Sequence, residues 1–173
     1  MPENPGPEPT LSLRNTARRW LESAGWTFEQ RDHCSLGAAL AQGEFRWIAT
    51  ATREPFSMLV AEPVAAPERL FVCQSFSLEL PERDQIDALD RGARTQLAWD
   101  LLSSLNLLEV EYLIDTPVPH VVLLFVCTPR EGLTRGLLLQ HLQRLSAALR
   151  LASLAYAKAL GTLFEAPEAP SVH

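Results

Sequence analysis

Apolar residues at helical spacing dominate the last third of the chain. From Thr134 to Leu160 they fall at Leu138, Leu142, Leu145, Leu149, Ala152, Tyr156 and Ala159, alternately four and three apart. No proline and no β-branched residue follows Thr134 in this stretch, so the spacing predicts one helix over 134–160, roughly 40 Å long. A second apolar row runs through Leu137, Ala148, Leu151 and Ala155. A helix covered on one face by its own domain shows a single stripe with charge opposite. Two rows predict a core helix with apolar surface left over for a partner.

Upstream the pattern changes period several times. Leu13, Ala17, Trp20, Leu21 and Ala24 share a helix face, with Thr10 or Ser12 as cap and Gly25 as stop. Arg14, Arg18 and Arg19 form its solvated outer side. Trp26 and Phe28 alternate with polar residues and suit at most a short edge strand, and 33–43 reads as a loop with a helical turn through 36–40. Alternation then predicts strands at 45–52 and 56–61. The clearest strand is 69–80, where Leu70, Val72, Phe76, Leu78 and Leu80 share a face. Pro81 opens a helix carried by Ile86, Leu89, Ala93, Leu97, Leu101 and Leu105, with Gly92 marking a kink or a close helix–sheet contact. Val110, Tyr112 and Ile114 alternate with Glu109, Glu111 and Asp115 in a half-buried strand. The run 121–127 is apolar throughout and predicts a strand covered on both faces.

The predicted order is helix, three strands, helix, two strands, helix. This is an α+β domain over 10–163 with a five-stranded antiparallel sheet, between tails at 1–9 and 164–173. The first tail holds four of the thirteen prolines. No internal linker and no repeat divides the 173 residues.

A net charge of −6 argues against nucleic acid and against anionic membrane surfaces as partners. The first ten residues have no basic start and no apolar run, as a signal peptide requires, and no apolar run is long enough to span a bilayer. Cys34, Cys73 and Cys127 are odd in number and far apart, which predicts free thiols and a cytoplasmic setting.

Three short motifs carry a family resemblance. Trp20-Leu21 is followed by Gly25-Trp26, Ser77-Leu78 runs into an acidic helix start, and Glu131-Gly132-Leu133-Thr134-Arg135 opens the last helix. With the element order, these make residues 12–160 similar to the type III secretion chaperone-like fold, also called Tir-chaperone-like. Within it the chain resembles an uncharacterised prokaryotic branch related to the YbjN-like proteins. The resemblance implies a small acidic homodimer that holds an extended segment of a client protein. It implies no catalytic residue.

Chemistry is hard to find in the residues themselves. His33-Cys34, His120 and Cys127 lack the paired spacing of a zinc site, and no metal or other cofactor is expected. A reactive cysteine needs a neighbouring cation or helix start to lower its pKa. None is evident, so Cys127 reads as a buried structural residue and Cys73 as part of a covered interface. Cys34, in a loop beside His33, is the most reactive candidate, though it reads more often as incidental. Glu109 and Glu111 belong to a solvated strand face, and His141 to the boundary of the last helix. Hydrolase, phosphate-loop and metalloprotease motifs are absent.

The expected function is therefore non-enzymatic protein binding by a homodimer, with Leu137, Ala148, Leu151, Ala155, Phe71 and Cys73 as the candidate partner surface. The alternative is a small-ligand or thiol-sensing domain built on Cys34 or Cys73.

Overall fold

The computed structural model describes residues 12–31, 44–114 and 118–161. Both expected tails, Thr10, the 33–43 loop with Cys34 and the first part of the 116–119 turn lie outside these residues. The fold is α+β, a six-stranded antiparallel sheet with four α-helices among the described residues. The elements are α1 (Leu13–Ser23), β1 (Thr27–Arg31), β2 (Phe45–Arg53), β3 (Phe56–Pro63), β4 (Arg69–Ser77), α2 (Leu80–Asp87), α3 (Arg91–Leu107), β5 (Glu111–Ile114), β6 (Val121–Pro129) and α4 (Arg135–Ala159). The strand order is β1-β2-β3-β4-β6-β5.

The sheet has six strands where the hydrophobic pattern predicts five. The addition is β1, whose Thr27–Arg31 pairs antiparallel with Thr52–Ile48 of β2. Its side chains are almost all exposed, so the hydrophobic pattern barely marks it. One helix expected from Pro81 to Leu105 is two. The first run stops at Asp87 with Ala88 as its cap, and Asp90 caps the second, its Oδ1 accepting from the Ala93 amide at 2.9 Å. Gly92 therefore sits in the first turn of α3, where a glycine interrupts nothing.

The chain falls into two compact units, Met1–Gln74 with Phe125–Gln143 and Ser75–Leu124 with Arg144–His173. In the first, α1 starts at Ser12, whose Oγ accepts from the Asn15 amide, and stops at Gly25, with φ at +80°. Leu13, Ala17 and Leu21 are its buried row. Register in β2, β3 and β4 sorts the sheet residues, because paired residues share a face. Ala49, Val60 and Val72 lie on one face; Ile48, Ala61 and Phe71 lie on the other, with Leu59 and Cys73. The second face carries an aromatic row, Phe45–Phe71–Phe125, with ring centroids 6.3 and 5.4 Å apart. Thr134 caps α4 through the Leu137 amide.

In the second unit, α4 buries Leu145, Ala148, Ala152 and Tyr156. The Tyr156 ring stacks on Phe76 at 5.0 Å, and its hydroxyl donates to the Pro119 carbonyl. The strand expected to be covered on both faces is so only at Val122, Leu123 and Leu124; Val121 is exposed, and Phe125 to Cys127 are half-buried.

The Asp90 cap separates two helices whose apolar spacing would otherwise run on. Asp90→Ala is expected to cost about 1 kcal/mol, read as a lower urea midpoint with an unchanged slope.

Candidate functional site

The six expected partner residues do not form an exposed surface. In the first unit, Phe71 and Cys73 share a sheet face and are buried, and Leu137 is half-buried. In the second unit, Ala148 and Ala155 are buried and Leu151 is half-buried. Four of the six thus lose their water within the chain itself. In the second row of α4 the two alanines are core and the two leucines lie at its margin. His141, expected at the boundary, is buried too, with Nε2 2.9 Å from the Thr128 hydroxyl. Cys127 is half-buried where a buried residue was expected.

Exposed apolar area lies elsewhere. Trp99 and Leu107 on α3 are 70% and 80% exposed, and Leu154 on α4 is 60% exposed, all within the second unit. On α3 the buried row is Leu97, Leu101 and Leu105. Trp99 sits two positions from Leu97, about 200° around the helix, and so faces directly away from that row. Around it the outer face is built from Gly92, Thr95, Gln96 and Ser103, all exposed. These small and polar side chains leave the indole standing proud. One turn back, Arg91, Gly92, Thr95, Gln96 and Trp99 line a shallow depression of about 750 Å³.

The flank of this face is pinned electrostatically. Asp100 accepts from Gln96 Nε2 and from Lys158 Nζ, both at 2.6 Å. The Lys158 contact, chiefly as a hydrogen bond, and then the Gln96 amide hold the Asp100 carboxyl below its ordinary value of 3.8. A second pair, Arg144–Glu109 at 3.3 Å, ties α4 to the far end of α3, so the two helices run antiparallel. Leu154 lies one turn before Lys158 and hence on the same side of α4. The one charged side chain on the outer stripe from Arg91 to Leu107 is Arg91, since Asp100 is spent on Lys158.

The ionisable side chains among the described residues are spread through the fold. No group of three His, Cys, Asp or Glu side chains among the described residues could hold a metal ion. The buried Glu62 carboxylate accepts from Trp47 Nε1 at 2.8 Å and from the Glu68 amide at 3.1 Å, with Arg46 at 3.5 Å. These contacts hold the β3–β4 turn. His120 pairs with Asp87 at 2.9 Å near the surface. No helix among the described residues is long and apolar enough to cross a membrane.

Sequence reasoning passed over Trp99 because it followed the row from Ile86 to Leu105. The available signal was a tryptophan off that row, on a face otherwise made of Gly, Thr, Gln and Ser.

The sequence matches no protein-family model and no curated protein. Among solved structures it is similar to an uncharacterized protein from Methanothermobacter thermautotrophicus, with 15% identity and a TM-score of 0.64. The alignment covers 86% of this chain and 96% of the archaeal one. At that identity the likeness is one of fold.

Two measurements check this arrangement. Leu151→Asp is expected to cost about 1–3 kcal/mol, because it places a charge at a half-buried position beside Ala148 and Ala155, whereas Leu154→Asp stays within about 0.5 kcal/mol. Thermal melts of the two variants read the difference. Asp100 is expected to titrate below 3.8 by carboxyl NMR, and Lys158→Ala to return it towards that value. Because its folded pKa is depressed, the pair's small stabilisation is complete above the unfolded value and fades as pH falls through the folded one.

Proposed function

We propose that this protein is a non-enzymatic protein-binding domain that acts as a homodimer and holds a segment of a client protein. The observation that carries the reading is the outer face of α3, where Trp99 and Leu107 remain exposed beside Leu154. Aromatic side chains standing in water on a face poor in charge mark binding surfaces more often than chance exposure does. Burying an indole and two leucines elsewhere would recover several kcal/mol at about 25 cal/mol per Å².

The resemblance to secretion chaperones supports client capture, and the exposed ends of the sheet order offer a route. An extended peptide can add to a strand edge through main-chain hydrogen bonds, with side-chain pockets providing selectivity. β5 is the better edge for this, with Leu113 exposed at 47%. β1 presents Glu29 and Arg31, the charged side chains that discourage strand addition.

Sedimentation from 1 to 100 μM (concentrations spanning about 5–8 kcal/mol of association free energy) tests the dimer. Binding to an array of unfolded peptides tests the client. The expected result is a concentration-dependent dimer that retains peptides rich in apolar and β-branched residues. A monomer throughout, with no peptide retained, would sink the reading.

A further inference from the structure

We infer that the homodimer forms by antiparallel docking of two α3 helices, each Trp99 entering the depression beside Gly92 on the other copy. The inference rests on the homodimer reading and supplies its geometry. It starts from a coincidence on one helix face: a projecting indole and a hollow lie a turn or two apart, between Arg91 and Trp99. A two-fold interface is self-complementary, so a projection and a hollow on the same patch can satisfy each other only in pairs.

The register follows from helix geometry. In an antiparallel pair the two-fold axis passes midway between a residue and the one it meets. Trp99 meeting the hollow at Gly92–Gln96 puts the axis near Gln96. Gly92 keeps that hollow open. A Cβ there would stand 3.2 Å from Asp90 Oδ1, the oxygen that caps α3.

Charge favours a second copy over a basic or acidic partner. Each chain carries −6 overall, which opposes self-association. The outer stripe of α3 escapes that repulsion, because its exposed positions carry no carboxylate and Asp100, on the flank, is neutralised by Lys158. The two Arg91 side chains would lie about 15 Å apart, on opposite sides of the axis, and do not meet. Area sets the strength of the dimer. With the axis near Gln96 the two α3 helices overlap over residues 91–101, about 15 Å, which stays below the roughly 800 Å² per partner of a standard interface. Dissociation in the micromolar range is the corresponding expectation.

The test combines sedimentation with site-directed cross-linking of the full chain. Trp99→Asp, which removes the projection, and Thr95→Trp, which fills the hollow, are each expected to weaken the dimer by about 30-fold or more, as loss of a central tryptophan does. Both positions are exposed, so circular dichroism should show an unchanged fold. Gln96→Cys should form a disulfide-linked dimer under mild oxidation. Ser103→Cys should not, because its copies would sit about 20 Å apart. The unsubstituted chain, with its three native cysteines, is the control. A dimer that survives both Trp99→Asp and Thr95→Trp, or cross-links as well through 103 as through 96, overturns this geometry and leaves the homodimer reading standing. A monomer at every concentration, or a one-to-one complex with a different protein in place of the dimer, overturns both.

Discussion

Removal from water of the α4 row Leu138, Leu142, Leu145, Ala152 and Tyr156 is the constraint on which the rest of the structure depends. All five are at most 1% exposed. A leucine of this kind is worth about 2–5 kcal/mol against alanine, so the row outweighs any charge pair on the surface. It belongs to both compact units, Leu138 and Leu142 to the first and the others to the second. In the first unit the neighbouring Thr128–His141 contact shows what burial demands of a polar side chain. In the second, the Tyr156 hydroxyl meets the same demand at Pro119.

Once that row is committed, α3 has little freedom. Its own buried row of Leu97, Leu101 and Leu105 fixes which side turns inward, and the side 200° away must face out. Gly92, Thr95, Gln96 and Ser103 suit that role. Trp99 and Leu107 do not, and nothing in the packing of the helix requires them there. Their exposure is the observation on which the proposed binding surface rests. The ion pairs at the flank orient the helix ends and take Asp100 out of the charge balance, leaving a stripe poor in charge on a chain that is otherwise acidic.

The same logic accounts for the buried polar groups of the structure. Its buried polar groups include Glu62 and His141, and both have hydrogen-bond partners on neighbouring elements. Their contacts are those of groups holding turns and helices in place. The described residues bring no nucleophile, base and oxyanion donor together, and the depression at α3 is lined by a single ionic side chain.

Much of the architecture was legible in the residues alone. Periodicity located α1, α4 and the strands β2 to β4, and Ser12, Gly25 and Thr134 marked ends that the structure uses. Two features escaped for definite reasons. β1 has almost no buried residue, so the alternation of Trp26 and Phe28 hinted at an edge strand without placing it in the sheet. The break between α2 and α3 keeps the helical phase from Ile86 through Leu97, so only the Asp90 cap betrays it. The candidate surface was misplaced for a deeper reason. A sequence records which positions are apolar, and so determined that α4 carries two rows. Which rows lose their water depends on what the fold brings against them. Tertiary packing alone decided that Ala148 and Ala155 are core, and that Trp99, on a helix of little apparent polarity, is left in solvent.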